Sequence, residues 1–174
     1  MTRLLTIALA AIVLIGCGNA NPQTTSNRTA NATSQTRATG TPTAQDLHDG
    51  VLAALRANHK LAVRALWTNQ IPATATRSTR GPALAGLRAS AKDRQRQQIR
   101  VRMLHDDYRI ISIRLDPSYT SAIAVVKSTQ KVMPSQLDGK PLGRSVELHE
   151  RARIQLRRIG SSRSFVVWRL TLLK

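Results

Sequence analysis

One carboxylate breaks the pattern around it. In Val146-Glu147-Leu148-His149-Glu150-Arg151-Ala152-Arg153-Ile154-Gln155-Leu156, the residues Val146, Leu148, Ala152, Ile154 and Leu156 share one face of a strand, and Glu150 falls on that same face. A carboxylate among aliphatic side chains needs a partner or takes a raised pKa. In a domain with an interior cavity, Glu150 could act as a general base or contact a ligand. The plainer readings are a salt bridge, with Arg169 of "FVVWRLTLL" as the partner if the last two strands pair, or a bulge that shifts the register.

The other residues with chemical potential form no recognisable set. His48 and His59 are eleven residues apart, about the same helix face, but a metal would need further ligands there. "HDD" at 105–107 and "ELHE" at 147–150 lack metal-site spacing, so all four histidines read as surface residues and no metal or cofactor is expected. Enolisation of the ketosteroid isomerase kind needs an Asp base with Tyr and protonated Asp donors. Tyr108 and Tyr119 are the only tyrosines, and no such triplet can be assigned. No G-x-S-x-G elbow, Gly-rich phosphate loop or H-E-x-x-H occurs, which favours a non-enzymatic domain.

Charge is the strongest bulk property. The chain carries 27 Lys and Arg against 9 Asp and Glu, a formal +18. Such a field attracts polyanions and speaks to partners rather than to fold. Arg88, Lys92 and Arg96 recur every fourth residue on one helix, and Arg151, Arg153 and Arg157 share a strand face. These six are the candidate polyanion contacts, and the alternative is a solvated basic surface. Aromatic residues make up 3% of the chain, too few for base stacking, which disfavours nucleic acid.

Two helices and a run of strands must position these groups. Over 44–69, Leu47, Val51, Leu55, Ala62 and Leu66 form one apolar helix face, opened by a capping box from Thr43 and Asp46. A second helix is predicted from Pro82 to about Gln97, with Leu84, Leu87 and Ala91 inward and "IPATATRSTRG" before it as a loop. After Gln98 the period becomes two. Ile99, Val101 and Met103 alternate with arginines, and Ile111, Ile113 and Leu115 alternate with polar residues up to Asp116-Pro117. A longer strand covers 120–133, and Asp138-Gly139 marks a turn. Strands at 146–157 and 165–173 flank a turn at Gly160–Ser164. Helices followed by antiparallel strands predict an α+β fold, with the helices packed on one sheet face.

The N-terminus has a separate logic. After Arg3 comes the apolar run "LLTIALAAIVLI", then Gly16 and the only cysteine, Cys17. A short apolar run after a positive charge, ending at a small residue, describes a secretory signal; crossing a bilayer takes roughly 20 apolar residues. One thiol excludes an internal disulfide. From Gly18 to about Thr43 the chain has no acidic residue, no aromatic and no apolar side chain larger than Ala or Pro. It should be a disordered tether with a reach of roughly 30 Å.

Leu14-Ile15-Gly16-Cys17 resembles the lipobox of bacterial lipoprotein precursors. The resemblance covers the first 17 residues and implies cleavage before Cys17, a diacylglycerol thioether on its sulfur, and acyl chains that hold the protein at the extracytoplasmic face of the cell membrane. Removing residues 1–16 would leave 26 cations against 9 acids. The element order over residues 44–174 resembles the cystatin-like α+β roll of nuclear transport factor 2-like domains. That resemblance implies N-terminal helices on a bent antiparallel sheet, a cavity between them, and functions that fold alone does not specify. Together these expectations describe a membrane-anchored envelope lipoprotein whose small domain binds an anionic polymer, a lipid or a partner protein. The alternative is a cavity-type enzyme or small apolar-ligand binder using Glu150.

Overall fold

The computed structural model describes residues 41–173, so Cys17, the apolar run before it and most of the expected tether lie outside the described residues. The elements run α1 (Ala44–Thr68), a 3₁₀ turn (Ala73–Arg77), α2 (Gly81–Arg96), β1 (Ile99–Leu115), β2 (Ser121–Gln136), β3 (Val146–Arg158) and β4 (Phe165–Leu173). The strands form a four-stranded antiparallel meander in the order β1-β2-β3-β4, and both helices pack on it, as the sequence predicts.

Local chemistry sets the bounds of α1. Asp46 N donates to Thr43 Oγ1 at 3.1 Å and Thr43 N donates to Asp46 Oδ2 at 3.0 Å, closing the capping box. The expected stripe of Leu47, Val51, Leu55, Ala62 and Leu66 is buried. Asn69 ends the helix in the left-handed region at φ 54°. Its Nδ2 donates to the Ile99 carbonyl at 2.6 Å, and its Oδ1 accepts from Arg94 Nε at 3.0 Å. Arg94 also donates to the Ala65 carbonyl at 3.0 Å. The last turn of α1 has no basic residue of its own, so α2 supplies the cation that its carbonyl end favours.

The segment before α2 reads as a loop but contains a short 3₁₀ turn with Ala75 buried. Its exit joins the sheet edge: Arg80 N donates to the Val167 carbonyl at 2.9 Å, and Val167 N to the Ser78 carbonyl at 2.8 Å. This covers an edge that would otherwise offer unpaired backbone groups. Gly81 opens α2 at φ +55°, where a Cβ would lie 2.9 Å from the Trp168 ring. Leu84, Leu87 and Ala91 are buried, as expected.

β1 differs most from its expected form. It is one strand of 17 residues, with register shifts between Met103 and His105 and between Ile110 and Ser112. Each extra residue reverses the in-out alternation. Ile110 therefore packs against the core while Ile111, predicted inward, is 53% exposed. At the turn after β1, Asp116 accepts from the Ser121 hydroxyl at 2.6 Å and from the Thr120 and Ser121 amides at 2.9 Å. These bonds, the Ser121 hydroxyl foremost, pull its pKa down to about 2.

Two apolar clusters lie against the sheet, and a third, around Ala62 and Leu87, lies between the helices. The larger joins Leu47, Val51 and Leu55 of α1 to Ala124, Val126, Ile154, Leu156, Phe165 and Val167. The smaller, toward the C-terminal end of α1, joins Leu66 to Val101 and Val132, with Met103 and Leu148 packed against them.

Candidate functional site

Between the two apolar clusters against the sheet runs a polar belt built by sheet register. Tyr108 of β1 lies opposite Ser128 of β2, which lies opposite Glu150 of β3. One row along, Asp106 lies opposite Gln130, and Gln130 opposite Leu148. Helix α1 adds His59. Its Nε2 lies 3.4 Å from Asp106 Oδ2, and its ring stacks on Tyr108 with centroids 5.1 Å apart.

The belt is deep. His59 and Ser128 are 1% exposed and Gln130 is fully buried. The Gln130 Nε2 and Oε1, the Ser128 Oγ and the Glu150 Oε2 have no hydrogen-bond partner among the described residues. Burial, with Asp106 adding a smaller push, raises the Tyr108 phenol well above its usual range. Burial also pushes the half-buried Glu150 carboxyl up to about 7.

The Glu150 shift has a definite sign. The native state holds this proton more tightly than the unfolded chain, so the stabilisation is fully present below about pH 4.5 and is lost as pH rises through about 7. Glu150 is only partly buried, which discounts the effect to about 1 kcal/mol. In urea titrations, wild type should lose about that much relative to Glu150→Gln between pH 5 and pH 8. A difference that stays constant with pH would mean a fully hydrated carboxylate.

Glu150 and Arg169 do not meet. Strands β3 and β4 do pair, but Arg169 sits opposite Gln155 on the outer face and is exposed, whereas Glu150 points inward. Five residues separate them along the ladder, about 17 Å. The six cations expected to gather also divide. Arg88, Lys92 and Arg96 are exposed on α2, away from its buried Leu84, Leu87 and Ala91. Arg151, Arg153 and Arg157 are exposed on the opposite side of the domain, on the sheet face that carries no helix.

The histidines divide as well. His59 is buried, against the expectation of a surface residue, while His105 and His149 are exposed and His48 is half-buried. His149 lies 3.4 Å from Glu147 and 3.3 Å from Thr129, facing away from Glu150. Among the described residues no group of three or more His, Cys, Asp or Glu is placed to hold a metal. An open cleft of about 460 Å³ lies between α1 and the β3–β4 turn, lined by Asp49, Gly50, Arg77, Arg163 and Phe165 among others, and it includes no belt residue.

Part of the belt is visible in the sequence once β2 is read strictly. Ser128 and Gln130 share the parity of Ala122, Ala124, Val126 and Val132. In α1 the apolar stripe skips a turn between Leu55 and Ala62, where Asn58 and His59 stand. Asn58 is satisfied there, donating from Nδ2 to Thr79 Oγ1 at 2.7 Å. Asp106 carries no such signal. Continuing the alternation from Val101 and Met103 would turn His105 and Asp107 inward, and the bulge turns Asp106 inward instead.

No protein-family model matches the sequence, and no curated protein does. Solved structures that match include the intermembrane space region of the chloroplast protein ARC6, with a TM-score of 0.59 and 11% identity, over 71% of this chain and 93% of that one. At that identity the likeness concerns the fold alone.

Proposed function

We propose that the protein is a bacterial lipoprotein held at the extracytoplasmic face of the cell membrane by acylated Cys17, and that its domain takes up a small polar molecule in the belt between His59 and Gln130. The anchor reading rests on Leu14-Ile15-Gly16-Cys17 at the end of a short apolar run. No helix among the described residues is long and apolar enough to cross a membrane. The cystatin-like roll of nuclear transport factor 2-like domains remains the family reading for the domain, supported by helices followed by an antiparallel meander.

The observation that carries the binding reading is the Gln130 amide, fully buried with neither end satisfied by the described residues. Leaving a buried donor or acceptor unmet costs about 1–3 kcal/mol each. Water meets such a demand in many interiors. A ligand with adjacent N–H and C=O groups meets it with one molecule, and Ser128 and Glu150 next to it offer further hydrogen bonds. A cavity-type enzyme is the second reading, favoured by a Glu150 carboxyl tuned to about 7, near the working range of a general base.

Native mass spectrometry of protein purified from its own cells without denaturation tests this. Wild type should carry a small-molecule adduct that Gln130→Met lacks. The variant, with its unmet amide replaced by a thioether of similar volume, should be about 1 kcal/mol more stable than ligand-free wild type. An adduct-free wild type, or an adduct that survives in Gln130→Met, would remove the belt as the site. Separately, Cys17→Ser should lose the lipid mass and the salt-resistant part of membrane retention; continued lipidation would refute the anchor.

A further inference from the structure

The outer face of the sheet concentrates charge in a way that only the register reveals. Arg109 of β1, Lys127 of β2 and Arg151 of β3 lie directly opposite one another in a single row. Arg153 stands in the next row, facing Val125 and Thr171. The row after that has Arg114 on β1 and Arg169 on β4, with Ile123 and Gln155 between them. Opposed residues on neighbouring strands have Cβ atoms about 4.5–5.5 Å apart, and like charges placed so are destabilising. Asp107 partly relieves the first row through a 2.9 Å ion pair with Arg109. Farther along, the rows of His149 and Lys131 are mixed in sign because Glu147 joins them.

We infer that this outer sheet face is a docking surface for an anionic membrane, with phospholipid phosphates as its counter-charges. This goes beyond the interior binding site and does not depend on the lipid anchor. The array is two-dimensional. Four strands at about 4.8 Å spacing and six residues of strand at about 3.3 Å each give roughly 15 Å by 20 Å of basic surface. A head-group layer engages the whole of such a patch, whereas a linear polymer follows one stripe. Aliphatic side chains stand among the cations, with Ile123 40% exposed and Val125 half-buried, which suits the head-group boundary. The rows hold no aromatic platform for nucleobases. Trp168, on the neighbouring edge strand, is enclosed by the Arg157 guanidinium at 3.9 Å and by Gly81.

Vesicle sedimentation of the full chain carrying Cys17→Ser tests the inference, comparing phosphatidylcholine vesicles with vesicles containing 30% phosphatidylglycerol. The other cations of the chain, Arg3, Arg28 and Arg37 among them, are common to all variants, so the change in the ratio of affinities between variants reports the basic surface. That ratio should exceed about tenfold at low salt and approach one at high salt, as expected for about fivefold per cation near an anionic surface. The triple variant Lys127→Glu/Arg151→Glu/Arg153→Glu should lower the ratio at least tenfold with an unchanged melting temperature. Arg88→Glu/Lys92→Glu on α2 should leave it within twofold. Equal loss in both variants, or no preference for phosphatidylglycerol, would overturn the inference. So would tighter binding to polyphosphate or single-stranded DNA with the same variant dependence, which would make the face a polymer site.

Discussion

Asp106→Ala should cost about 1–3 kcal/mol of folding stability, the loss expected when a buried polar group loses its partner. Asp106 Oδ2 lies 3.4 Å from His59 Nε2, and their side chains are 6% and 1% exposed, so water cannot substitute for the missing carboxylate at low cost. The His59 ring is further held by its stack on Tyr108. Urea denaturation of Asp106→Leu, His59→Phe and the two combined forms the double-mutant cycle that separates these contributions. His59→Phe keeps a flat ring for Tyr108, and combined with Asp106→Leu it replaces both polar partners with apolar groups. The double variant should recover most of the stability lost in Asp106→Ala, because no polar group is left stranded. A cost below about 1 kcal/mol for Asp106→Ala would mean that the pair is hydrated, and the belt would lose its claim to be a dry, pre-organised site.

Gly50→Ala should lose about 2–3 kcal/mol, against the direction that helix propensity gives. In an exposed helix interior the same change gains about 0.5–1 kcal/mol. At Gly50, however, a Cβ would fall on the backbone carbonyl oxygen of Arg163 in the β3–β4 turn, with the Phe165 ring 3.4 Å away. Backbone cannot step aside as a flexible side chain can, so overpacking outweighs propensity. Gly86 supplies the control: it lies in α2 with nothing within 4 Å of its would-be Cβ. Gly86→Ala should therefore stabilise by about 0.5–1 kcal/mol. If thermal melts show both substitutions stabilising, α1 does not rest closely on that turn.

Much of the fold was legible because the signals were local. The Thr43–Asp46 capping box, the α1 stripe, Pro82 in the first turn of α2 and the glycine turns at 139 and 160 depend on residues near in sequence. What escaped depended on contacts far apart in sequence. The bulges of β1 become defined only when β2 pairs with it, and they decide that Asp106 rather than Asp107 faces His59. Arg169 lies opposite Gln155 because the β3–β4 hairpin closes at Arg158 and Phe165, which leaves Glu150 beyond the last paired position, Arg151 with Leu173.

By itself the sequence determined the α+β class, the bounds of both helices, the inward register of Glu150 and the large excess of positive charge. Hydrophobic periodicity and capping chemistry carry that information within a few residues. Tertiary structure alone decided which polar groups share the interior and which cations share a surface. Strand pairing joins residues about 20 positions apart, such as Ser128 and Glu150 or Lys127 and Arg151, and a bulge reverses the sides of the residues after it until a second bulge restores them, as at Ile113 and Leu115.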